Sequence, residues 1–159
     1  MIVRQAEQQD AARIIEFWNP MIRSTVVTFS TEERKVENVQ ADIASRGAAF
    51  QVAEQEGRVV GFATYFPFRS GPGYAFTKEH TIILTPEAQG HGVGRALMDR
   101  LCRVAREDGV HSLIAGVSGE NTAGIAFHAG VGFDEIARLP EVGFKFGRWM
   151  DLVLMQKML

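Results

Sequence analysis

The sequence has a single cysteine, Cys102, among 159 residues. No internal disulfide is open to it, which suits a reducing cytoplasm. Cys102 falls inside a strongly periodic helical stretch and reads as packing, not as a nucleophile. No apolar run approaches the length of a membrane span. The first residues, Met-Ile-Val-Arg-Gln, lack the basic-then-apolar order of a leader, so no signal peptide is expected. Charge of one sign is also missing: 17 Lys and Arg stand against 19 Asp and Glu. That leaves no electrostatic footprint for nucleic acid or for an anionic membrane surface. The histidines at 80, 91, 111 and 128 are scattered without ligand spacing, so no metal is expected. There is no repeat, low-complexity tract or linker. With 46% apolar residues, the chain is expected to fold as one domain over residues 1–159.

What is present is a sequence of alternating periods. Residues 2–6 read as a short strand. A helix follows from Gln8, with Ala12, Ile14, Ile15, Trp18 and Ile22 at helical spacing, and Pro20 is expected to end or kink it. Residues 24–29 read as a loop or short extended piece. Ser30 and Glu33 have capping-box spacing and are expected to open a second helix, with Val36, Val39 and Ile43 inward and Gly47 closing it. Strands are expected over 49–54 and 58–68, joined at Glu56-Gly57, then over 74–85 after the loop at 70–73. Val93, Leu97, Leu101, Val104 and Ala105 give the clearest helix, stopped at Gly109. Residues 112–117, 133–138 and 150–157 read as strands, with a short helix over 121–131. The order β-α-α-β-β-β-α-β-α-β-β implies an α/β fold with a mixed sheet and helices on both faces.

The most informative segment is Gln89-Gly90-His91-Gly92-Val93-Gly94-Arg95, between an apolar strand and the clearest helix. Glycines let the main chain turn tightly and bring its N–H groups close to a ligand. At a helix N-terminus those donors and the dipole favour an anion. The segment reads as a pyrophosphate cradle, although an isolated glycine turn serves as often for close packing. It lacks the Gly-Lys-Ser/Thr of a nucleoside-triphosphate loop. Its spacing also differs from the dinucleotide fingerprint.

The segment matches the acyl-coenzyme A motif Gln/Arg-x-x-Gly-x-Gly/Ala. With Asn121, Phe127-His128 and Gly132-Phe133, the chain resembles the GNAT superfamily of N-acetyltransferases along its whole length. Thr77-Lys78-Glu79-His80, Ser118-Gly119-Glu120-Asn121 and the nonapeptide from Gly143 to Asp151 make it similar to the branch that acetylates phosphinothricin and methionine sulfoximine or sulfone. The resemblance implies a mostly antiparallel sheet with one splayed parallel strand pair.

It also implies acetyl-CoA as co-substrate and a small amine or amino acid, or its toxic analogue, as acceptor. Main-chain groups of Ile82, Ile83 and Leu84 would hold the pantetheine. Residues 89–95 would hold the diphosphate: Gln89, Gly90, His91, Gly92, Val93, Gly94 and Arg95. Asn121 would bond the pantetheine or cap the following helix. Glu79 would take the proton from the amine, which is mostly protonated at neutral pH. By itself Glu79 reads as a plain strand-edge carboxylate. His128, where many superfamily members have tyrosine, is a candidate acid for the leaving thiolate. Arg69, Tyr74, Ala75 and Phe76 align with the branch's substrate-contacting stretch, and Phe29 and Phe146 are candidate pocket walls. The nonapeptide reads Lys145-Phe146-Gly147-Arg148-Trp149-Met150-Asp151 where phosphinothricin enzymes carry histidines, so any role of those histidines does not carry over. A homodimer is implied, with Arg148 and Trp149 at its interface. Two other readings are a protein or peptide N-acetyltransferase and a non-catalytic acyl-CoA-binding domain.

Overall fold

The computed structural model describes all 159 residues. Seven strands form one sheet: β1 (Ile2–Gln5), β2 (Phe50–Gln55), β3 (Arg58–Pro67), β4 (Thr77–Leu84), β5 (Ser112–Ser118), β6 (Asp134–Lys145) and β7 (Arg148–Met158). Their spatial order is β1-β2-β3-β4-β5-β7-β6. Every neighbouring pair is antiparallel except β4 and β5. Helices α1 (Ala11–Ser24) and α2 (Val36–Arg46) cover one face, and α3 (Val93–Glu107) and α4 (Thr122–Gly130) the other. No helix is long and apolar enough to cross a membrane.

Two cores sit on the two faces. On one side Ile14 and Phe17 of α1 and Val39 and Ile43 of α2 pack on Phe50, Phe62 and Ile83. On the other, Val93, Leu97, Leu101, Val104 and Ala105 of α3 pack on Ala63, Leu113 and Ala115. The helical spacing of those α3 residues is the spacing that selected the helix from sequence. Cys102 is buried among them.

Local structure departs from the sequence reading in four places. Pro20 does not end α1, which runs on to Ser24. Proline removes one N–H from the helix ladder, but Pro20 and Glu16 are both exposed, so water meets the freed carbonyl. The second helix does not start at Ser30. It starts at Val36, and the Ser30 hydroxyl turns to the Glu32 carbonyl while Glu33 pairs with Arg23. Residues 72–74 form a short 3-10 turn, so β4 begins only at Thr77. Finally, β6 and β7 are one long hairpin, not two short strands. Phe146 and Gly147 form its two-residue turn, both with positive φ (55° and 72°), as such a turn requires. The β6 ladder shifts register between Leu139 and Gly143, which breaks the alternation that a sequence pattern relies on.

Candidate active site

Strands β4 and β5 pair only at their start: Thr77 with Ser112, Lys78 with Leu113, Glu79 with Ile114. β4 then continues to Leu84 and β5 to Ser118 with no further pairing between them. The main-chain groups that face the fork have no ladder partner, which is costly unless something amide-bearing fills the gap. Ile82, Ile83 and Leu84 lie on this unpaired stretch, as the sequence reading placed them.

Alternation along β4 sorts its side chains between the two faces. Ile83 packs with α1 and α2, and Ile82 and Leu84 pack against the α3 side. Glu79 shares the parity of Ile83, and His80 that of Ile82. A cleft of about 360 Å³ crosses the sheet at the fork. Trp18, Phe29 and Glu79 line it on one side, and His80, Asn121 and His128 on the other.

The Glu79 carboxyl is half-buried, and desolvation raises its pKa above the ordinary carboxylate value. No hydrogen bond or ion pair offsets that cost. His128 Nδ1 lies 2.7 Å from the Gly124 carbonyl oxygen. A carbonyl only accepts, so Nδ1 carries the proton and the neutral ring leaves Nε2 bare. Nε2 lies 3.1 Å from Nε2 of His80, so His80 supplies the shared N–H. Burial lowers the pKa of both rings, and the neighbouring His128 lowers that of His80 further. The Asn121 side chain accepts from the Gly124 N–H at 2.9 Å and so caps α4.

The glycine turn precedes α3, whose first N–H groups have no intrahelical acceptor. Gly90 (φ 78°) and Gly92 (φ 80°) are left-handed, and a Cβ on either would meet nothing within 4 Å. Their bare main chain therefore faces open space. Gly94 differs: its Cβ would lie 2.9 Å from the Phe127 ring, so this glycine serves helix packing. Gln89, His91 and Arg95 are exposed beside the turn, and Val93 is buried beneath it. The Arg95 guanidinium donates to the Gly130 carbonyl at 2.8 Å, which ties the turn to the end of α4.

The fork does not gather every candidate. Arg69, Tyr74, Ala75 and Phe76 are exposed, with Arg69 over the Tyr74 ring. Ala75 and Phe76 open onto a separate hollow of about 490 Å³ beyond the start of β4, with Arg46 and Lys78. That hollow is larger than the cleft but touches none of the unpaired strand. Phe146 is exposed at the hairpin turn. Conversely, sequence reading missed His80, whose partner lies 48 residues away. No group of three metal-ligating side chains is assembled anywhere.

A forked parallel strand pair beside a glycine turn at a helix N-terminus fits a ligand that carries both amides and a diphosphate, as an acyl carrier does. Similarity to known proteins carries the assignment further. The sequence profile of the Acetyltransferase (GNAT) family matches residues 12–133, and the chain belongs to that family. It is 37% identical, over 98% of its length and 93% of the relative's, to L-methionine sulfoximine/L-methionine sulfone acetyltransferase of Salmonella typhimurium. Among solved structures it superposes with TM-score 0.95 on a ribosomal-protein-alanine N-acetyltransferase from Brucella melitensis, at 38% identity and 100% coverage of both chains. It superposes with TM-score 0.93 on a phosphinothricin acetyltransferase from Sinorhizobium meliloti in complex with acetyl-CoA, at 30% identity, 99% coverage of this chain and 88% of the other. The protein is an acetyl-CoA-dependent N-acetyltransferase.

Proposed function

We propose that the enzyme acetylates the α-amine of a small amino acid or a toxic analogue, of the methionine sulfoximine, methionine sulfone or phosphinothricin type. The observation that carries this reading is the fork, with an unpaired half-buried carboxylate on one face and the open glycine turn next to the other. Acetyl-CoA supplies an acetyl thioester. Main-chain groups of Ile82, Ile83 and Leu84 take the pantetheine as an added strand, and one of their N–H groups polarises the thioester carbonyl. The main chain of residues 89–95 takes the diphosphate at the start of α3. Asn121 holds α4 in place and adds a bond to the pantetheine.

Glu79 accepts the proton of the incoming amine, directly or through a water. Its raised pKa makes it a better base than an ordinary carboxylate. Phe29 walls the pocket on this side. His128 acts on the coenzyme side as acid for the departing thiolate. Its resting Nε2 is an acceptor, so it acts as an acid only after taking a proton from solvent at Nε2, which it then passes to the thiolate. Burial disfavours the imidazolium, so that proton is readily given away.

These shifts set a pH dependence. The charged, base-competent form of Glu79 appears as pH rises, and desolvation moves that step upward. The kcat/KM for amine is expected to rise with pH along a limb centred above the ordinary glutamate value. The limb should vanish in Glu79→Gln, leaving only the ionisation of the amine itself. A profile identical in both proteins would separate Glu79 from the rate.

A cleft of about 360 Å³ lies within the size range of small-molecule sites. The likeness to a ribosomal-protein-alanine N-acetyltransferase nevertheless gives a peptide N-terminus a place in the test. Steady-state rates with acetyl-CoA should therefore be compared for methionine sulfone, methionine sulfoximine, phosphinothricin and an alanine-led peptide. Turnover of the amino-acid analogues alone is expected. Turnover of the peptide alone would overturn the small-substrate reading, and coenzyme binding without turnover of any amine would point to a carrier-binding domain.

We propose also that the enzyme works as a homodimer in the cytoplasm. The rings of Phe144 (54% exposed) and Trp149 (61% exposed) meet in a tilted pair, centroids 4.8 Å apart, on the edge hairpin beside exposed Val142. An apolar patch on an edge strand is a surface that needs covering. The unpaired, buried thiol of Cys102 suits a reducing compartment.

A further inference from the structure

A buried ammonium is ordinarily matched by a carboxylate. That of Lys145 is not. Lys145 is 3% exposed, and no carboxylate lies within ion-pair distance of it. Its Nζ donates instead to two main-chain carbonyls, those of Thr25 and Thr28, each at 2.7 Å. These belong to residues 25–35, the connection from α1 to α2, which has no regular structure. Val27, Thr28 and Phe29 of this connection line the cleft on the Glu79 side.

The connection is otherwise fastened only near its ends. The Thr25 N–H bonds the Met21 carbonyl, and Arg34 and Asn19 exchange two hydrogen bonds. Between them, the Val27 N–H turns to Thr25 Oγ1 and the Ser30 N–H to Thr28 Oγ1, both within the loop. Within residues 26–32, Lys145 alone reaches the loop by hydrogen bond from elsewhere in the fold.

A second residue of β6 meets the same loop. Gly143 lies two positions before Lys145, hence on the same face of the strand. Both are buried while Phe144 between them is exposed. A Cβ at Gly143 would come within 2.6 Å of the Phe29 ring. The ring occupies the space that the missing side chain leaves. Gly143 seats Phe29, and Lys145 ties the carbonyls that flank the turn leading to it.

We infer that Gly143 and Lys145 form a two-point clamp that fixes the Val27–Phe29 wall and thereby sets the affinity for the amine, with Lys145 a positioning residue. The inference rests on the amine-acetylating reading of this cleft. The clamp acts on the Glu79 face, while the glycine turn lies at the start of α3 on the opposite face. Loss of the clamp should therefore divide the two substrates.

The test is Lys145→Met, which keeps the length of the side chain and removes its donors. With methionine sulfone as acceptor, KM for the amine is expected to rise about tenfold or more, the scale of one charge-assisted hydrogen bond. KM for acetyl-CoA should stay within about twofold, since no contact of the coenzyme face is altered. Hydrogen exchange of the enzyme alone should show amides 26–30 opening at least about tenfold faster, with β4 and β5 unchanged. Unchanged loop protection, or equal rises in both KM values, would overturn the clamp. The exchange result decides it even if no tested amine proves to be a substrate, an outcome that would count against the functional reading instead. Should Lys145→Met fail to fold, Gly143→Ala crowds Phe29 with Lys145 intact, and Phe29→Leu should relieve it. Additive effects in that double-mutant cycle would also overturn the proposal.

Discussion

Glu79→Gln is expected to lower kcat by about 10²–10⁴-fold, the usual contribution of a positioned general base. Acetyl-CoA should bind with unchanged affinity. The substitution keeps the shape of the side chain and removes only its ability to take a proton. The carboxyl makes no hydrogen bond or ion pair, and its one perturbation is desolvation. No partner is therefore orphaned by the change, and the neutral amide sheds the cost of burying charge. Thermal stability should be equal to or slightly above that of the parent. A large loss of kcat with intact stability and intact coenzyme binding isolates proton transfer as the missing step. Unchanged kcat would remove Glu79 from the role. A loss matched by weaker coenzyme binding would show that the fork itself had been disturbed.

What could be read from sequence was what depends on near neighbours. The glycine turn, the α3 stripe and the apolar run of β4 each carry their signal within about ten residues, and each stands where it was expected. The fork itself entered only through family resemblance, because the divergence of β4 from β5 leaves no trace in either strand's pattern. The start of α2 was misplaced because Ser30 and Glu33 have capping-box spacing, yet they satisfy their polar groups on Glu32 and Arg23. Local spacing offers a cap but cannot say whether other partners win. His80 and Lys145 were unreadable as a proton-sharing group and a loop anchor. Their partners lie 48 residues away in one case, and 117 and 120 in the other. The exposed residues Arg69, Tyr74 and Phe76 illustrate the reverse: alignment with a family segment does not bring them into this chain's own cleft.

Gly92→Val is expected to weaken acetyl-CoA binding by about tenfold or more while leaving kcat at saturating coenzyme nearly intact. Two effects act together. At φ 80° a β-branched side chain is strained by about 1–2 kcal/mol, which shifts the turn and the N–H groups that follow it. The added atoms also enter the open space over the start of α3, where no protein atom lies within 4 Å of the ideal Cβ. That space is where the diphosphate is proposed to sit. Gly94→Ala supplies the contrast. Its backbone is ordinary, and its Cβ would press on the Phe127 ring at 2.9 Å. It should therefore lower the melting temperature by disturbing the seat of α4 on α3, with a smaller effect on coenzyme affinity. Titration calorimetry with acetyl-CoA separates the two glycines. If Gly92→Val bound the coenzyme as tightly as the parent, the turn would be no more than a packing device, and the diphosphate would have to be held elsewhere.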